Sequence, residues 1–347
     1  MTKNVEKKFF EENPNAFQDY IQEYMEEALQ HSPPNLKKLI EEKYEEAKPI
    51  LDEQYTWFSN DLFTHHILAN IIEEADEEIK EELEKVWIGK INKDEVNAAA
   101  HSIDPDFEGY LITLNSELDY LLHNVCETLG GELLMNTNKD KEYEPIILLL
   151  FVSNYTSLPD LNERAISIKE ELLSPEIQKK LNNFSNTALI GATTFIVAHE
   201  IGHHFLKHTE VKSEFIGSYR DMYIRGGNIN HEYEYAADEF AIDLMLKNKL
   251  KNATDLSEGY IPIEYLAGPF LSMLALALVD PTPHLSSDSH PSIKDRFESI
   301  KKRIALIYKD EEIVETLFAV MNRMIEYTNQ AVKPGQPNRW NGKEWWK

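Results

Sequence analysis

Over roughly the first hundred positions, apolar residues recur at helical spacing within a charged background. The segment Ile71–Trp87 places Ile71, Ile72, Ala75, Ile79, Leu83 and Val86 three or four residues apart among glutamates and lysines. That is the signature of amphipathic helices. Pro14, Pro33-Pro34 and Pro49 interrupt the pattern. The spacing thus predicts an acidic, helical N-terminal region over residues 1–104. From Asp104-Pro105-Asp106 the pattern changes. Tyr110–Leu114 and Ile146–Val152 read as strands, with a helix over 116–129 between them and a short third strand at Ala165–Ile168. The run Thr187–Ala198 is apolar enough for a core helix, with Ser185 or Asn186 as N-cap. A further helix is centred on Glu234, with Asn230 as its N-cap and Lys247 and Lys249 near its end. Tyr265–Val279 is the longest uncharged apolar run. It contains Gly268-Pro269 and falls short of the ~20 residues that span a bilayer, so it reads as a buried helix. The fold class is α+β, mostly α. A second domain over 105–332 carries a small sheet, and a tail over 333–347 holds Trp340, Trp345 and Trp346.

Charge narrows the choice of partners. With 35 Lys and Arg against 61 Asp and Glu, the net charge is −26, which makes nucleic acid and anionic membrane surfaces poor partners. The single cysteine, Cys126, excludes an intramolecular disulfide and fits a reducing compartment. Residues 1–10 lack the apolar stretch of a secretory signal. The expectation is a soluble cytoplasmic protein with no membrane span. The N-terminal helices and the Trp-rich tail are candidate surfaces for a protein partner, although a solvated scaffold and docking onto the protein's own body are the simpler readings.

The chemistry concentrates at His199-Glu200-Ile201-Gly202-His203 and at Glu234-Tyr235-Ala236-Ala237-Asp238. At about 100° per residue, His199 and His203 lie about 40° apart on one helix face and can point at one ion. A chain of this composition contains H-E-x-x-H by chance roughly one time in twenty, so the motif needs its surroundings. Ionisable side chains closing an apolar run need a partner, and a metal provides one. Glu234 is the natural third ligand. Asp238, one turn further along the same face, can fix an imidazole tautomer. Ala236, Ala237 and Ala241 are small enough for the two helices to approach closely. Glu232 and Glu239 read as a solvated acidic face. His204 and His208, about 140° and 180° from His199, read as packing or surface residues, and His231 as a reserve ligand. A Gly-containing link over 215–227 reads as a flap or a plain loop.

The string His199-Glu200-x-x-His203-x-x-x-x-His208, then Glu234-x-x-Ala237-Asp238, then His290-Pro291-Ser292-x-x-x-Arg296 resembles the CAAX prenyl protease and HtpX-like zinc endopeptidases. A second resemblance is to the phage-exclusion Lit type of soluble intracellular peptidase. The first covers about residues 185–300, and the second rests on a similar zinc motif. They imply a zincin-like, gluzincin-type peptidase with a small sheet ahead of the active-site helix and an extended substrate held at the edge of that sheet.

The implied function is hydrolysis of peptide bonds in an intracellular protein. One Zn²⁺ is held by His199, His203 and Glu234, and Glu200 acts as general base. His290 is the oxyanion donor that the resemblance implies, with Tyr233 and Tyr223 as alternatives. Arg296 orients His290 or anchors its loop, while a helix cap and a salt bridge are the structural readings of that pair. The alternative function is a regulatory or defence-related metal-binding protein whose peptidase activity is latent or absent.

Overall fold

The computed structural model describes residues 62–91, 96–101, 109–138, 174–209, 229–251, 261–280, 284–288 and 290–331, together with Val5, Phe9, Lys37 and Lys38. Among these residues the fold is mostly helical with one three-stranded sheet, the α+β class expected. In chain order the elements are α1 (Leu62–Glu74), α2 (Glu77–Leu83), β1 (Val86–Ile91), β2 (Ala98–Ala100), β3 (Tyr110–Asn115) and α3 (Ser116–Asn138). There follow α4 (Pro175–Phe205), α5 (Ile229–Lys251), α6 (Ile263–Val279), α7 (Ile293–Ile307) and α8 (Glu311–Ala331). The strands expected over 146–152 and 165–168, the link over 215–227 and the tail fall outside the described residues.

The strand order is β1-β3-β2. β1 pairs with β3 in parallel, Val86 opposite Tyr110, and β2 pairs with β3 antiparallel, Ala99 opposite Thr113. Two strands thus lie in a region that the periodicity predicts as helix. Val86–Ile91 is buried at five of its six positions, and a strand buried on both faces loses the alternation that would reveal it. Ala98–Ala100 is a run of the best helix former, and its pairing with β3 decides otherwise. The sheet joins residues on both sides of position 104.

The core is built around α4, which packs against α3, α5 and α6. At 31 residues it is longer than its apolar run, because its start lies further upstream than Ser185 or Asn186. Ser174 is the N-cap: its Oγ accepts from the Ile177 N–H, and Pro175 occupies the first turn. Ser185 instead returns its hydroxyl to the Leu181 carbonyl at 2.8 Å, inside the helix. α6 is buried from Tyr265 through Ala275 and carries Pro269 in its interior. It crosses α4 with backbones almost touching. A Cβ on Gly268 would lie 2.2 Å from the Gly191 carbonyl carbon, and one on Gly191 would lie 2.4 Å from the Tyr265 oxygen. Two glycines are what this crossing requires. Among the described residues, no helix is long and apolar enough to cross a membrane.

Candidate metal centre

α4 and α5 meet at a second close crossing. Ala236, Ala237 and Ala241 are fully buried, and a Cβ on Gly202 would lie 3.2 Å from Ala237 Cα. Small side chains therefore let α5 carry Glu234 to the histidine pair on α4. His199 Nε2 and His203 Nε2 are 3.0 Å apart. Glu234 Oε2 is 3.6 Å from the former, and Oε1 is 3.5 Å from the latter. Four-coordinate zinc with bonds of about 2.0–2.1 Å separates neighbouring ligand atoms by about 3.3 Å. The three observed spacings bracket that value, and these residues form the one cluster among those described that could hold a metal ion.

Charge supports the same fit. Glu200, Glu234 and Asp238 are buried carboxylates, and the buried permanent cation among them is Arg296. Arg296 reaches in from α7. Its Nε and Nη2 donate to Asp238 at 2.8 and 2.7 Å, and Nη1 lies 3.0 Å from Glu234 Oε2. One guanidinium faces the carboxylates of both Glu234 and Asp238, and a divalent cation would add the positive charge they lack. Burial acts to raise the Asp238 carboxyl, but Arg296 and then His199 outweigh it and hold the group down at about 2. Asp238 is thus a carboxylate, and its Oδ1 lies 2.9 Å from His199 Nδ1. That contact places the His199 proton on Nδ1 and leaves Nε2 available to hold an ion. Burial disfavours the His199 imidazolium, yet Asp238 more than offsets this and keeps the ring above its usual range. At His203 burial dominates, His199 adds to it, and the ring is held well below its usual range, so it stays neutral.

Glu200 has a separate support. The Ala100 N–H of β2 donates to its Oε2 at 2.7 Å. Burial pushes this carboxyl up, against the opposing effect of His199. β2 is an edge of the sheet. The His101 N–H bonds the Leu111 carbonyl, and the Asn97 carbonyl accepts from the Asn115 N–H. Strand alternation then turns the peptide groups of Ala98 and Ala100 away from β3. Asn97–Ala100 form one wall of a cleft of about 850 Å³ that holds His199, Glu200, His203 and Glu234. Phe195, Ile196, Met273 and Leu276 supply apolar parts of its lining.

The remaining predicted residues divide. His290 is exposed at the cleft mouth, with Nε2 3.6 Å from Glu234 Oε1. Arg296 is buried against Asp238, Glu234 and His199. The cap of α7 is Ser292, whose Oγ accepts from the Asp295 N–H. The loop before α7 is tied to the start of α5, where His231 Nε2 meets the Ser287 carbonyl at 2.6 Å and Asn230 donates to the Asp288 carbonyl. His231 is therefore a loop anchor, not a ligand, and Asn230 lies inside α5, which begins at Ile229. Tyr233 stacks on His208 at 4.0 Å, and Tyr223 is outside the described residues. His204 is buried, with Nε2 donating to the Leu111 carbonyl at 3.1 Å. Sequence reasoning missed the Ala100–Glu200 bond and the reach of Arg296. Neither has a local signal, since the partners are 100 and 58 positions apart.

Comparison with known proteins finds a family model, Peptidase U49, that matches residues 138–318. The stretch contains the H-E-x-x-H motif, Glu234, Asp238, His290 and Arg296, and the family is of the Lit type. No curated protein and no solved structure matches the chain.

Proposed function

The chain belongs to the Peptidase U49 family, and on that premise we propose a defence-related zinc protein whose peptidase centre stays latent until its target is engaged. The observation that carries the reading is the buried His199–His203–Glu234 cluster with Glu200 beside it. A purely structural site has no use for that fourth ionisable group. The Lit type is a phage-exclusion type, which favours defence over general protein turnover.

His199, His203 and Glu234 would hold the ion. Bound zinc supplies Lewis acidity and brings the pKa of a coordinated water to about 7. Glu200 takes the proton of the attacking water and returns it to the leaving amine. Its Oε2 is anchored by Ala100, so Oε1 is the oxygen that exchanges the proton. Asp238 and Arg296 hold His199 and Glu234 in register from behind. His290, whose Nε2 lies 3.6 Å from Glu234 Oε1, would donate to the developing oxyanion. A target segment in extended form would pair with the outward peptide groups of Ala98 and with the Ala100 carbonyl, the Ala100 N–H being held by Glu200. Such a segment belongs to a protein of the cell or of an invading phage.

The test compares new protein N-termini in cells carrying the wild-type chain and Glu200→Gln, before and after phage challenge. The expected result is one or a few cleavages that appear on challenge with the wild type alone. Glu200→Gln should retain zinc while turnover falls by about 10²–10⁴-fold. Identical N-termini in both strains under challenge would remove the peptidase from the account.

A further inference from the structure

The two histidines of the cluster are supported differently, and the second support comes from a residue that helical spacing places on the wrong side. His199 has Asp238 behind it. Behind His203, the Nδ1 atom lies 2.9 Å from His208 Nδ1. A straight helix would put His208 about half a turn from His199, but α4 ends first. Lys207 has φ 64°, the left-handed region. Its N–H bonds the His204 carbonyl at 3.0 Å, and the His208 N–H bonds the His203 carbonyl at 2.8 Å. This paired closure is the Schellman ending of a helix. It folds the chain back, so that His208 returns to the turn that carries His203. The His208 ring is held on its face by Tyr233 of α5, stacked at 4.0 Å and 15°.

We propose that His208 is a positioning residue for His203, the neutral counterpart of what Asp238 does for His199. The proposal rests on the metal-binding reading of the cluster. With Nε2 of His203 facing His199 and Glu234, its proton belongs on Nδ1. His208 Nδ1 is the acceptor of that proton, so the His208 proton sits on Nε2. The bond fixes the tautomer and the plane of the His203 ring. Partners of this kind are worth about 10–100-fold in metal affinity.

The test measures zinc affinity by competition with a chromophoric chelator in the wild type, His208→Phe and His208→Gln. Phenylalanine keeps a ring on Tyr233 and removes the acceptor, whereas glutamine restores an acceptor without the ring. The expected result is a loss of about 10–100-fold for His208→Phe, with most of it regained in His208→Gln. Cobalt-loaded His208→Phe should also show shifted d–d bands, which a distant packing defect would leave unmoved. The wild type tests the same bond whether or not the variants fold. In zinc-loaded protein with ¹⁵N-labelled histidine, His203 should show a protected Nδ1–H. Equal affinity in His208→Phe, or a His203 proton that exchanges freely, overturns the proposal. A wild-type chain that binds no zinc overturns the metal site and, with it, this inference.

Discussion

At the scale of single residues, the site is a set of imidazoles and carboxylates that constrain one another's protonation. Asp238 stays ionised because Arg296 and His199 outweigh its burial, and it thereby keeps His199 Nε2 directed at Glu234. Replacing Asp238 by Asn removes the charge and keeps the shape. It is expected to weaken zinc retention by about 10–100-fold, as read by chelator competition, and an unchanged constant would make Asp238 a structural residue. The histidine pair and Glu234 were legible in the sequence because a spacing of four residues on a helix is a statement about one face. The partners of Arg296 were not legible, because a contact between residues 238 and 296 is made by tertiary folding. His208 shows where the helical wheel fails. Its angle is meaningful only while the helix continues, and Lys207 ends it.

At the scale of elements, two close crossings position the site, α4 with α5 and α4 with α6. The first was foreseeable from the alanines of α5, and the second depends on Gly191 meeting Gly268, which no local pattern announces. Gly268→Ala forces backbone against a new methyl group. It should cost about 1–3 kcal/mol in urea unfolding, despite the better helix propensity of alanine, and a gain in stability would contradict the described crossing. The contact between α4 and β3 carries a pH dependence. Burial holds the His204 ring down at about 4 from its ordinary 6.5, against the opposing bond to the Leu111 carbonyl and with a smaller contribution from His101 in the same direction as burial. The unfolded chain thus takes up a proton near pH 6.5 that the folded chain refuses until about pH 4. The contribution is present above pH 6.5 and is lost as pH falls through this window, by up to about 3 kcal/mol. His204→Gln should flatten the fall in urea midpoint between pH 6.5 and 4, and an unaltered slope would locate the acid sensitivity elsewhere. The strands β1 and β2 were hidden for the opposite reason to the helices. One is buried at every position but Lys90, and the other is three alanines whose strand form exists only through β3.

At the scale of the whole molecule, a chain of charge −26 gathers its chemistry into one cleft between an edge strand and the ends of α4 and α5. The α+β class and the presence of α4, α5 and α6 followed from the sequence, while the starts of α4 and α5 and the sheet's composition did not. The candidate ligands lie on two separate helices, so an ion held there would tie α4 to α5 and stabilise only the folded chain. Calorimetric titration of zinc into the metal-free wild type and Glu234→Gln measures this directly. One zinc should bind per wild-type chain, and Glu234→Gln should bind at least tenfold more weakly while keeping the same fold. Zinc binding that is absent in the wild type, or equally tight in Glu234→Gln, would contradict the account.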